Sequence, residues 1–101
     1  MTTTVRLDLN NPVFQRQLFG LDKQERNQVL NTLRKLSELT WEQVYSDKGL
    51  RWERILTKIG PKGENLYSLR VSHSFRAVAH RDGDWLCLDA VHPDHHDSTY
   101  S

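Results

Sequence analysis

Apolar and charged side chains alternate over residues 5–9, VRLDL. That is the pattern of a strand with one buried face. The period then changes. In NNPVFQRQLFGL an asparagine precedes a proline suited to the first helical turn, and Gly20 follows as a stop, which predicts a short helix. The next stretch, 22–39, predicts the main helix. Asp22 can cap it, Glu25 can return the bond three residues on, and Val29, Leu30, Leu33 and Leu36 recur at helical spacing. Thr40 with Gln43 forms a second capping box, opening a short helix that Gly49 should end.

The second half has the period of strands. RWERILT, LYSLRV, FRAVAHR and DWLCLDAV are separated by turn chemistry. Asp82-Gly83 is a two-residue hairpin signal. With those two as the loop, Arg81 opposes Asp84, His80 opposes Trp85, Ala79 opposes Leu86, Val78 opposes Cys87, Ala77 opposes Leu88, and Arg76 opposes Asp89. Phe75, Ala77, Ala79, Leu86, Leu88 and Ala90 then share an apolar face, and Arg76, Val78, His80, Trp85, Cys87 and Asp89 the other. In LYSLRV, Tyr67, Leu69 and Val71 join the apolar side, and Ser68 and Arg70 the polar side. The expected fold is α+β. An N-terminal strand and a helix pair pack on one face of a mostly antiparallel sheet of four to five strands, with a short C-terminal tail. Residues 1–101 form a single domain. The opposite sheet face is left open, a natural place for a ligand.

Composition narrows the setting. Three Trp, three Tyr and three Phe can supply the buried area a small core needs. A net charge of +1 gives no strong overall field toward nucleic acid. One cysteine, Cys87, rules out an internal disulfide framework and suits a reducing compartment. No apolar run approaches the length of a membrane span and no signal-peptide pattern opens the chain, so a soluble cytoplasmic protein is expected.

Two places could carry chemistry. Arg70 and Arg76, on neighbouring strands of the open face, have the planar fork that grips phosphate. The register above also allows a plain Arg76–Asp89 ion pair. The last residues, HPDHHDSTY, have three readings. His92, His95 and His96 with Asp94 and Asp97 offer metal-ligand types, but their spacing fits no usual closed zinc pattern. A frayed chain end is the plain alternative. The third reading is acid–base catalysis, with imidazoles and a phenol delivered beside arginines, as metal-free phosphodiester cleavage requires.

The order of these segments resembles the RelE/ParE superfamily of bacterial type II toxins. A strand with a basic residue (LYSLRV), a short turn (SHS), FRAV, a hairpin (RDGD), an apolar strand (WLCLDAV) and a polar tail (HPDHHDSTY) follow the family order over nearly the whole chain. The resemblance implies a RelE-like fold and an endoribonuclease that cuts mRNA, usually on the ribosome, without metal or other cofactor. It implies that Arg76 contacts the scissile phosphate, that Arg70 is the basic residue of the preceding strand, and that Tyr100 is a catalytic tyrosine. Histidines of the tail resemble those of the HigB, YoeB and YafQ branches, which makes His92 and His96 the leading candidates for general base. Lys58, Lys62, Arg81 and His95 are the expected RNA contacts. The implied partners are an acidic antitoxin that wraps the helices, in a heterotetramer or larger complex, together with mRNA and the ribosome. This chain departs from RelE in carrying Ser68 where a lysine pair would be completed, and in a tail rich in His and Asp rather than Arg and Lys. Two alternatives stay open: a ParE-like inhibitor of DNA gyrase, and an inactive relative acting as a regulatory partner.

Overall fold

The structure is a computed structural model that describes residues 3–73 and 75–93. Its elements run β1 (Arg6–Asp8), α1 (Pro12–Phe19), α2 (Lys23–Ser37), α3 (Trp41–Ser46), β2 (Glu53–Ile59), β3 (Asn65–Ser72), β4 (Phe75–Asp82) and β5 (Trp85–Pro93). The caps form as the side chains dictate. Asn11 accepts from the Val13 amide at 2.8 Å and Pro12 stands at the start of α1. Asp22 and Glu25 close a reciprocal box at the head of α2, and Thr40 and Gln43 do the same for α3. α3 stops at Ser46, earlier than Gly49, because the Asp47 carboxylate takes the Gly49 and Leu50 amides at 2.8 and 3.0 Å.

Five strands form one sheet in the order β1-β5-β4-β3-β2. β1 runs parallel to β5 and every other pairing is antiparallel. The sheet is therefore mostly antiparallel, as the pattern predicted. α1 packs on β5, and α2 on β1 and β3. Phe14 of α1, Val29, Leu33 and Leu36 of α2, and Val44 of α3 meet Leu69, Phe75, Ala77, Ala79, Leu86, Leu88 and Val91 in a single core. Burying each large aliphatic side chain there contributes about 1.5–3 kcal/mol. Leu30 is not part of it and remains 52% exposed. The buried stripe of α2 is Val29, Leu33 and Leu36, and Leu30 lies about 100° round the helix from Val29.

The β4–β5 register differs from the expected one in two places. The loop is Gly83-Asp84, with Asp82 opposite Trp85 and Arg81 opposite Leu86. Gly83, at φ 62°, takes the first central position, which a type II′ hairpin reserves for glycine. Farther along, Ala79 faces Leu88 while Val78 faces Ala90, so Asp89 is the extra residue of a bulge. The bulge moves Ala90 off the buried face and puts Val91 there instead. Arg76 consequently lies opposite His92, not Asp89, and the expected Arg76–Asp89 ion pair does not form. The division of faces up to Leu88 is as expected.

Candidate active site

Two strands bring their side chains together on the open face, and the backbone of a third pairs alongside them. Arg70 of β3 is the ladder partner of Arg76 of β4, and Arg76 is the partner of His92 of β5. Neighbouring strands lie about 4.8 Å apart, so the two guanidiniums start from adjacent backbones on one side of the sheet. Among the described residues neither has a carboxylate within ion-pair distance. Like charges placed opposite one another destabilise a sheet, and an anion bound between them reverses the sign of that effect. Arg76 is exposed, and its Nη1 donates to Ser68 Oγ at 3.4 Å. Arg70 is half-buried and also borders a cleft of 320 Å³ with Thr32 and Lys35 of α2.

The same face carries an acidic end. His80 Nδ1 lies 2.8 Å from Asp89 Oδ2, and each side chain is only 21% exposed. His80 has Cys87 as its ladder partner, and the Cys87 Sγ–H donates to Asp8 Oδ2 at 3.7 Å. Burial first, then the carboxylates Asp8, Asp82 and Asp89, push the Cys87 thiol up to about 11. It stays protonated at neutral pH and is no nucleophile. Asp8, Asn10, Asn11, Lys62, His80 and Asp89 are among the residues lining a cleft of 380 Å³ beside this cluster.

The remaining predicted positions scatter. Lys58 is exposed on the edge strand β2, and Lys62 reaches the cleft just described. Arg81 belongs to the helix side of the sheet. Its guanidinium lies over the Trp41 ring at 4.2 Å, Nη1 donates to the Tyr45 hydroxyl at 2.6 Å, and Nε donates to the Gly83 carbonyl at 2.7 Å. That arrangement fastens α3 to the β4–β5 turn and puts Arg81 on the other side of the sheet from Arg76. His95, His96 and Tyr100 lie outside the described residues, as do Asp94 and Asp97. The sequence pattern placed His80 on the open face but gave no sign of its carboxylate partner, because that contact depends on the bulge. A histidine and an aspartate on consecutive strands, within a few residues of a glycine turn, are the only trace it leaves.

No family model and no curated protein matches the sequence. Solved structures do match. A chain of the archaeal RelE–RelB complex from Pyrococcus horikoshii OT3 superposes with a TM-score of 0.63 at 17% identity, over 92% of this chain and 98% of that one. The chain has a RelE-like fold. A chain of the YoeB dimer from Staphylococcus aureus is similar at a TM-score of 0.52 and 14% identity, over 88% of this chain and 95% of that one. Among the described residues no helix is long and apolar enough to cross a membrane.

Proposed function

We infer that the protein is the toxin of a type II toxin–antitoxin pair, acting as a metal-independent endoribonuclease on mRNA, associated with the ribosome. The observation that carries this reading is the facing pair Arg70 and Arg76, without a carboxylate partner among the described residues, on the open sheet face of a RelE-like fold. A guanidinium pair so placed can hold the scissile phosphate and take up the charge that grows on its oxygens. The attacking group is the neighbouring ribose 2′-hydroxyl, and the product ends are a 2′,3′-cyclic phosphate and a free 5′-hydroxyl. His92, His96 and Tyr100 are the groups proposed for proton transfer. Lys58, Lys62 and His95 are the proposed RNA contacts, with Lys62 the best supported by its place in the open-face cleft, while Arg81, held against Trp41 and Tyr45 on the helix side, lies away from this face. The partner is an acidic antitoxin. The likeness to a chain of a RelE–RelB complex supports this.

The test is induction from a tight promoter, with primer extension on cellular mRNA, followed by cleavage of purified RNA with and without EDTA. Discrete cuts, cyclic-phosphate ends and full activity in EDTA are expected. Double-strand DNA breaks with gyrase co-purifying, and intact mRNA, would overturn the reading in favour of gyrase poisoning. EDTA-sensitive cleavage restored by zinc would overturn the metal-free mechanism alone.

A further inference from the structure

Building on the ribonuclease reading, we propose that His80, held by Asp89, is the base that takes the proton from the attacking 2′-hydroxyl. The first argument is placement. His80 and Arg76 lie on the same face of β4, four residues apart, or about 13 Å between backbones at 3.3 Å per residue. The Arg76 side chain shortens that gap. Its Nη1 bonds Ser68 Oγ, and Ser68 is the ladder partner of Val78, the residue midway between Arg76 and His80. The guanidinium thus stands over the Val78 row, one same-face step of about 7 Å from the His80 row. A phosphate on Arg76 would have its ribose 2′-oxygen within reach of the imidazole.

The second argument is the tautomer. An ionised carboxylate only accepts hydrogen bonds, so the 2.8 Å contact to Asp89 places the proton of neutral His80 on Nδ1. Nε2 is then left with its lone pair. The Asp89 carboxylate fixes the ring and supports the positive charge that forms when Nε2 is protonated, as in other carboxylate-oriented histidines. The bulge makes this contact possible. As the extra residue between Leu88 and Ala90, Asp89 has no ladder partner on β4, and its carboxylate reaches back to His80.

The surroundings suit the role. Lys62, Asn10 and Asn11 line the adjoining cleft, offering a cation and two amides to a flanking nucleotide. The charged and titratable groups around His80 are Asp8 of β1, Asp82 of its own strand, Cys87 and Asp89 of β5, and Lys62 and Glu64 of the β2–β3 connection. Cys87 does not compete as base, since its thiol keeps its proton. In the step itself the 2′-O–H proton passes to Nε2 and the 2′-oxygen–phosphorus bond forms as the bond to the 5′-oxygen breaks. The 5′-oxygen collects a proton from solvent water as it leaves. Exchange with water resets the imidazole.

The experiment measures single-turnover RNA cleavage across pH for the full-length wild type, His80→Gln, Asp89→Asn, Asp89→Glu and Arg76→Ala. Thermal melting and binding to a 2′-O-methyl RNA that cannot be cut are measured alongside. His80→Gln should lower the rate about 10²–10⁴-fold and flatten the rise of rate with pH. Its affinity for the uncleavable RNA should stay within about twofold, because a base contributes to the step and not to binding. Asp89 is a positioning residue: Asp89→Asn should slow cleavage about 10–100-fold and displace the pH limb, and Asp89→Glu should restore much of it. If His80→Gln lowers the melting temperature, the pH limbs of the two Asp89 variants decide. Wild-type cleavage by His80→Gln with its limb intact, or loss of cleavage matched by equal loss of RNA binding, would overturn the assignment. Failure of the ribonuclease reading looks different, since then the wild type itself leaves RNA uncut. If the wild type cuts, Arg76→Ala does not and His80→Gln does, only the inference about His80 falls.

Discussion

The two faces of β4 are built from alternate residues of one short strand and answer to different constraints. Phe75, Ala77 and Ala79 lie buried beneath the helices, while Arg76, Val78 and His80 look outward. The covered face needs only apolar side chains of fitting volume, and a slip of two residues along β5 still meets an apolar partner. The open face has no such tolerance. Whether Arg76 meets Asp89 or His92, and whether Asp89 meets His80, follows from one turn and one bulge. Packing is robust to a local change of register; chemistry is not.

Substitutions on the two faces should therefore separate activity from stability. The largest expected effect is on the open face. Arg76→Ala should reduce single-turnover cleavage about 10²–10³-fold, the scale for losing one donor to transition-state charge. Its denaturation midpoint should barely move, since exposed substitutions usually stay within about 0.5 kcal/mol. A midpoint that drops with the rate would show that the faces are not independent. Next comes the covered face. Leu86 is fully buried, and Leu86→Ala should cost about 2–5 kcal/mol in chemical denaturation while leaving cleavage per folded molecule close to wild type. A loss of rate without loss of stability would contradict that.

The smallest effect sharpens the comparison away from both faces. Burial pushes the Asp47 carboxyl up. The Lys35 ammonium at 3.0 Å and the Leu50 and Gly49 amides outweigh it and hold the group below its ordinary range. A carboxyl lowered by folding stabilises the folded chain above its unfolded value of about 3.9, and that contribution is lost as pH falls through the folded value. Asp47→Asn should accordingly cost about 1 kcal/mol at pH 7, with the difference from wild type shrinking as the pH drops below about 4. Urea denaturation at several pH values checks it. A difference that grew toward acid would reverse the assignment.

Much of the scaffold was legible because its signals are local. The capping pairs Asp22–Glu25 and Thr40–Gln43, the Asn11-Pro12 start and the strict alternation in LYSLRV each act within a few residues. The placement of Arg70 beside Arg76 was also legible, since strand parity alone puts both on the open face. The β4–β5 pairing was not, because RDGDW contains two overlapping hairpin loops, Asp-Gly and Gly-Asp, and local chemistry favours each. Nor does a bulge at Asp89 announce itself, since nothing in LCLDAV breaks the alternation until Val91 takes the buried place. The His80–Asp89 bond depends on both features, so it emerges only from the folded chain.

The parallel pairing of β1 with β5 also has a consequence for the order of events during synthesis. Arg6, Leu7 and Asp8 find their backbone partners in Trp85, Leu86 and Cys87, nearly a whole chain length away. A contact of that separation closes a long loop and tends to come late in folding. The Arg76 row likewise needs β5, since its third backbone comes from His92. A nascent chain halted after β4 would hold the helices and both arginines but have no place for its first strand. Translation from the N-terminus thus leaves the open face incomplete until nearly the last described residue has been made.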